Sequence, residues 1–175
     1  KRVTGVQTCA LPISNELADD LSGNLIESQG NGVFSEIYVR EENGVLKEIL
    51  SPLSWETKDY LNANEIVNVP SGVRFLIRPE SFQKWQGMIS NNLKRGAVLT
   101  IDYGGKDEEI QTGVWSGALR NERNLERIFD QIGKGEITGD VNFKELAGAG
   151  NEAGLTTAGY TSQSAFLRYF TTPRE

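Results

Sequence analysis

The chain has 175 residues, 38 % of them hydrophobic and 24 % charged, the mix of one soluble globular domain with a sizeable core. No apolar run reaches the ~18–20 residues of a membrane span, and a net charge of −6 with scattered Lys and Arg argues against a nucleic-acid partner. One cysteine and no histidine exclude a disulfide framework, the usual zinc sites and the commonest general base, which leaves any proton chemistry to carboxylates, tyrosine or lysine.

The first stretch, Val3 to Ser14, reads VTGVQTCALPIS behind Lys1-Arg2. Thr4, Gly5, Gln7 and Thr8 interrupt the continuous apolar run of ~7–15 residues that a secretory signal needs. Cys9 has no second cysteine or histidine to serve as a redox or metal partner. The string V-T-G-V-Q-T-C-A-L-P-I is, however, the translation of a common short-read sequencing adapter. Residues 1–13 are therefore expected to be an artefact, and 14–175 the C-terminal part of a single domain truncated at both ends.

From Asn15 onward, Asn15-Glu16 with Asp19 and Asp20 form an acidic opening segment. VFSEIYVR (Val33–Arg40) alternates, and VLKEIL (Val45–Leu50) follows across Asn43-Gly44, a pair that favours a two-residue antiparallel hairpin. VRFLI (Val73–Ile77) is a short strand. Pro79 opens a helix in which Phe82, Trp85, Ile89 and Leu93 recur at helical spacing, with Gly96 beyond its end. AVLTIDYGG (Ala97–Gly105) reads as a strand buried on both faces of a parallel sheet. Asn142 with Glu145 starts another helix that Gly154 closes. LTTAGYT, from Leu155, reads as a strand, and Gln163–Phe170 as a last short helix. The alternation predicts an open α/β sheet into which the hairpin is inserted.

Ligands of such sheets sit at the carboxyl ends of parallel strands. That singles out Asn15-Glu16 and Asp102-Tyr103-Gly104; the pattern alone leaves open whether Asp102 caps a loop and Glu16 is merely solvated. Trp55, Trp85 and Trp115 are expected in core or hairpin packing. GKGEITG lacks the lysine and hydroxyl residue of a phosphate loop, and no G-x-S-x-G nucleophile motif occurs that would support a carboxylate-based hydrolase.

Read in order, the motifs resemble one family. NELADDL is similar to the N-E-L-x-D-x-L-P segment of MidA-type class I methyltransferases, the family of the mitochondrial complex I assembly-factor methyltransferase and its bacterial relatives. RGAVLTIDYGG resembles its strand ending in Asp-Tyr-Gly, and GALR (Gly117–Arg120) its G-x-L-R loop. EITGDVNF (Glu136–Phe143) resembles its D-I-T-x-H-V-D-F segment, and AGLTTAGYTSQSAFL (Ala153–Leu167) its G-Y-T-x-Q-x-x-F-L block. Ser22 stands in place of the family's Pro, Asn124 and Asp140 in place of histidines, and Glu136 in place of Asp.

The resemblance implies the C-terminal half of a class I (Rossmann-like) α/β fold and S-adenosyl-L-methionine as methyl donor, its main glycine-rich binding loop lying upstream and missing from this chain. It implies a protein substrate methylated on arginine, with a role in respiratory complex I assembly for mitochondrial members. The compartment would be a bacterial cytoplasm, or mitochondria in a eukaryote. Glu16 is the implied holder of the substrate guanidinium, supported by Asp19. Asn15 lies toward the methionine end of the cofactor, Asp102, Tyr103 and Arg120 form the substrate-site wall, and Gln163 orients a loop. No metal is implied. A second class of function, a non-catalytic binding or assembly module on the same fold, is favoured by the two replaced histidines.

Overall fold

The structure, a computed structural model, describes residues 11–106 and 139–171. Strand β1 (Ile13–Asn15) pairs in parallel with β6 (Leu99–Ile101), so the adapter-like stretch supplies the first strand residue, Ile13, whose side chain is exposed. Between them lies a four-stranded antiparallel sheet in the order β4-β3-β2-β5, made of β2 (Asn24–Gly30), β3 (Val33–Glu42), β4 (Val45–Ser51) and β5 (Arg74–Ile77). Helix α1 (Trp55–Ala63) follows β4, and α2 (Pro79–Asn92) follows β5. A second short parallel pair joins β7 (Gly104–Gly105) to β8 (Val141–Asn142), which runs directly into α3 (Phe143–Glu152); α4 (Gln163–Thr171) is last.

The hairpin forms as the turn residues require. Glu42 pairs with Val45, and both Asn43 (φ 54°) and Gly44 (φ 79°) take the left-handed conformation of a type I′ turn. It is not an isolated insertion, because β2 and β5 extend the same sheet, and VRFLI pairs antiparallel with β2. One face of this sheet carries Ile26, Phe75 and Ile77, which pack with Leu61, Ile66 and Val69 into a core. Helix α2 begins with Pro at its first turn and buries Phe82 and Trp85 against α3, giving a second core with Val141, Leu146, Ala149 and Ala18. Asn142 caps α3 through Oδ1, which accepts from the amides of Lys144 at 3.0 Å and Glu145 at 3.2 Å, and Gly154 follows the helix at φ 86°.

Three expectations are corrected. The strand expected from Ala97 to Gly105 is split into β6 (Leu99–Ile101) and β7 (Gly104–Gly105), and β6 is half-buried rather than buried on both faces, since β1 is its one strand neighbour among the described residues. Leu155–Thr161 forms no strand: most of its residues are exposed and no partner strand lies beside it among the described residues. Trp55 does not pack in a core. It sits in the first turn of α1 at 75 % exposure, whereas Trp85 is buried as expected; Trp115 lies outside the described residues.

Candidate functional site

The parallel register of β1 and β6 sets Asn15 opposite Ile101, so the segments that leave their carboxyl ends emerge side by side. Glu16 donates its amide to the Ile101 carbonyl at 2.9 Å and turns the chain at φ 48°, a conformation that costs a non-glycine residue about 1 kcal/mol. The next three amides, of Leu17, Ala18 and Asp19, all point at one oxygen, Oδ2 of Asp102, at 3.3, 2.9 and 3.3 Å. Successive N–H groups converging in this way form an anion-binding concavity. Here a carboxylate of the protein fills it and fixes the loop. The second Asp102 oxygen accepts the amide of Tyr103 at 2.8 Å, and the Tyr103 hydroxyl donates back to Glu16 Oε1 at 3.0 Å. Asn15, Glu16 and Tyr103 are exposed at this rim, while Ala18 is sealed in the core beneath it. Asn15, Glu16, Asp102 and Tyr103, expected at the two strand ends, are therefore brought together.

Asp19 is buried at 6 % exposure, below the rim rather than on it. Its Oδ1 is buried without a hydrogen-bond partner among the described residues, and its carbonyl accepts the amide of Gly139 at 3.2 Å. Asp140, at the position of a family histidine, lies on the segment entering β8; Arg120 and Asn124 lie outside the described residues. Gln163 is exposed at the start of α4. Among the described residues no cluster of Asp, Glu, Cys or His is arranged to hold a metal.

The sequence reading missed Arg78, a fully buried arginine at the junction of β5 and α2. Its Nε donates to the Leu21 carbonyl at 2.7 Å, Nη1 to that of Asp140 at 2.9 Å, and Nη2 to those of Asp19 and Gly139, both at 2.7 Å. Its own amide donates to Glu145 Oε1 at 2.6 Å, which ties the first turn of α3 to the start of α2. Burial lowers the guanidinium's pKa from its ordinary value, against the carboxylates of Glu145, Asp19, Asp102 and Asp140, which favour its charged form. The available signal was a charged residue between the apolar run Phe75–Ile77 and the helix-starting Pro79.

Asp102 responds oppositely. Burial raises its carboxyl above the usual aspartate range; the Tyr103 amide opposes this, the Asp19 charge adds to it, and the amides of Ala18 and Asp19 oppose it again. The rim thus pairs an exposed carboxylate, held by a tyrosine hydroxyl, with a half-buried carboxylate that organises the backbone. Such an arrangement can receive a cation and accept a proton from it.

The fold class is that of solved α/β proteins. The chain resembles, at 23 % identity and TM-score 0.76, a crystal structure from Burkholderia thailandensis described as a "likely methyl transferase" and bound to S-adenosyl-homocysteine; the match covers 95 % of this chain and 43 % of that one. A native crystal structure of a protein of the same superfamily from that organism matches at 22 % identity and TM-score 0.76, over 94 % of this chain and 44 % of that one. The chain therefore spans less than half the length of both structures. Residues 3–161 match the profile of a family described as "Putative S-adenosyl-L-methionine-dependent methyltransferase", and the chain belongs to that family. A comparison with the curated proteins gave no match.

Proposed function

We propose that this chain forms the acceptor side of a methyltransferase that moves the methyl group of S-adenosyl-L-methionine to an arginine of a protein substrate, in respiratory complex I assembly where the source is mitochondrial. The observation that carries the reading is the Glu16 carboxylate, exposed at the end of β1 and oriented by Tyr103. A guanidinium binds a carboxylate through two parallel N–H···O bonds, and a carboxylate also accepts the proton released when nitrogen is alkylated.

The residues present fit one end of the donor. The exposed Asn15 side chain suits the methionine portion, while the Glu16 carboxylate is kept for the acceptor. The Leu17–Asp19 amides, by contrast, are committed to Asp102 and are not offered to a carboxylate or phosphate. When bound, the cofactor supplies the electrophilic methyl group. Glu16 holds and orients the acceptor nitrogen for in-line attack and takes up its proton as the carbon–nitrogen bond forms and the carbon–sulfur bond breaks. Tyr103 keeps the carboxylate at the rim, and Asp102 keeps the loop that presents it. Asp19 supports that loop from below.

The test is methyl transfer from labelled S-adenosyl-L-methionine to arginine-bearing protein, using an active form that carries this chain. Glu16→Gln is expected to lower transfer at least about a hundredfold, the scale of a lost general base, while leaving donor affinity within a few-fold. An equal loss of both would move Glu16 to the donor side and overturn its assignment.

A further inference from the structure

The loop that carries Glu16 is gripped at both ends by opposite charges. Asp102 takes the amides of Leu17, Ala18 and Asp19, and Arg78 takes the carbonyls of Asp19 and Leu21. The same guanidinium takes the carbonyls of Gly139 and Asp140 on a segment some 60 residues further along the chain, beside the rim. That second segment is also tied to the Glu16 loop, since the Gly139 amide donates to Asp19 O, and to the other strand end, since the Val141 amide donates to Tyr103 O at 2.8 Å. Gly23 completes the fit: a Cβ there would overlap the Ile77 carbonyl and lie 2.7 Å from Cγ of Arg78.

We infer that Arg78 is a positioning residue for the acceptor site. Its guanidinium locks the Glu16 loop and the Gly139–Val141 segment into one rim, so the orientation of Glu16 depends on a side chain that touches no substrate. This rests on the reading of Glu16 as the acceptor carboxylate. Two observations separate the arrangement from ordinary core packing. Four of the five guanidinium N–H donors are spent on carbonyls, all from the two rim segments, and a buried cation is costly unless its donors are satisfied. A lysine brings the same charge but a single nitrogen, which cannot span carbonyls on two segments in one plane.

The test compares the 175-residue chain with its Arg78→Lys and Glu16→Gln variants by NMR, using an arginine-bearing peptide as probe. In R78K, amide exchange at Leu17, Ala18 and Asp19 is expected to accelerate at least tenfold more than at Phe75–Ile77, as for a local rather than global opening. The Trp85 indole signal should stay at its folded position. Probe affinity should fall about tenfold, equivalent to roughly 1.4 kcal/mol.

A folded R78K whose Leu17–Asp19 amides exchange as in the parent overturns the inference, as does acceleration spread evenly over both cores. If R78K does not fold, exchange in the parent decides. Leu17–Asp19, Gly139 and Val141 should open as one unit below the global unfolding energy, and independent opening overturns the proposal. Failure of the Glu16 reading gives a different signature: E16Q binds the probe as well as the parent does, while R78K still shows the accelerated exchange at Leu17–Asp19.

Discussion

Asp102 occupies a position where charge and burial conflict, and its behaviour with pH follows from that conflict. Because burial raises its folded pKa above the unfolded value, the folded state holds the Asp102 proton more tightly than the unfolded chain does. The associated stability is fully present below the ordinary aspartate pKa of about 3.9 and is lost as pH rises through the folded pKa. Asp102→Asn cannot titrate. The stability of the parent relative to D102N should therefore fall as pH climbs from about 3 to 7, as measured by chemical denaturation of both proteins. A difference that grows with pH would mean that the three loop amides outweigh desolvation. At this scale the sequence disclosed the strand-end residues, because Asp-Tyr-Gly follows an apolar strand run and Asn15-Glu16 opens the segment that carries the family resemblance. It could not disclose that Asp102 turns its oxygens onto backbone amides, nor that Arg78 gathers four carbonyls, since those partners lie roughly 60–85 residues away in sequence.

Among elements, legibility tracked how cleanly side-chain burial followed one period. The β3–β4 hairpin, α2 and α3 announce themselves through turn residues, a first-turn Pro and an N-cap. Strand β2 does not, because one of its inward positions is Ser28, buried and bonded through Oγ to the Val69 carbonyl at 2.8 Å. Helix α1 buries Thr57 beside Leu61, with Thr57 Oγ1 accepting from Ser54 and Asn24, so its inner face is partly polar. The short elements at the rim make two sharp predictions. At Gly104 a Cβ would overlap the Val141 carbonyl, so Gly104→Ala must push β7 from β8 and should cost about 1–3 kcal/mol in denaturation, the range of overpacking. Asn142→Ala removes the acceptor for two amides at the start of α3 and should cost about 1 kcal/mol. A G104A protein as stable as its parent would show that the β7–β8 pairing is not tight.

For the molecule as a whole, the question is which part of the proposed reaction this chain can support alone. Class I folds hold their dinucleotide-like cofactors mainly through a glycine loop after a strand and an acidic residue on the ribose. The 175 residues contain no G-x-G-x-x-G, and they span 43 % of the similar structure that holds S-adenosyl-homocysteine. The paired strand ends supply carboxylates, suited to a cation, and their loop amides are already taken by Asp102. Calorimetric titration of the chain with S-adenosyl-L-methionine is accordingly expected to show no binding tighter than about 1 mM, some 4 kcal/mol, whereas an arginine peptide should still perturb Glu16 and Tyr103. Micromolar donor binding, worth about 8 kcal/mol, would require a donor site built within this chain. In that event Glu16→Gln separates the cases, because a donor-side carboxylate would lose cofactor affinity on substitution and an acceptor-side carboxylate would not.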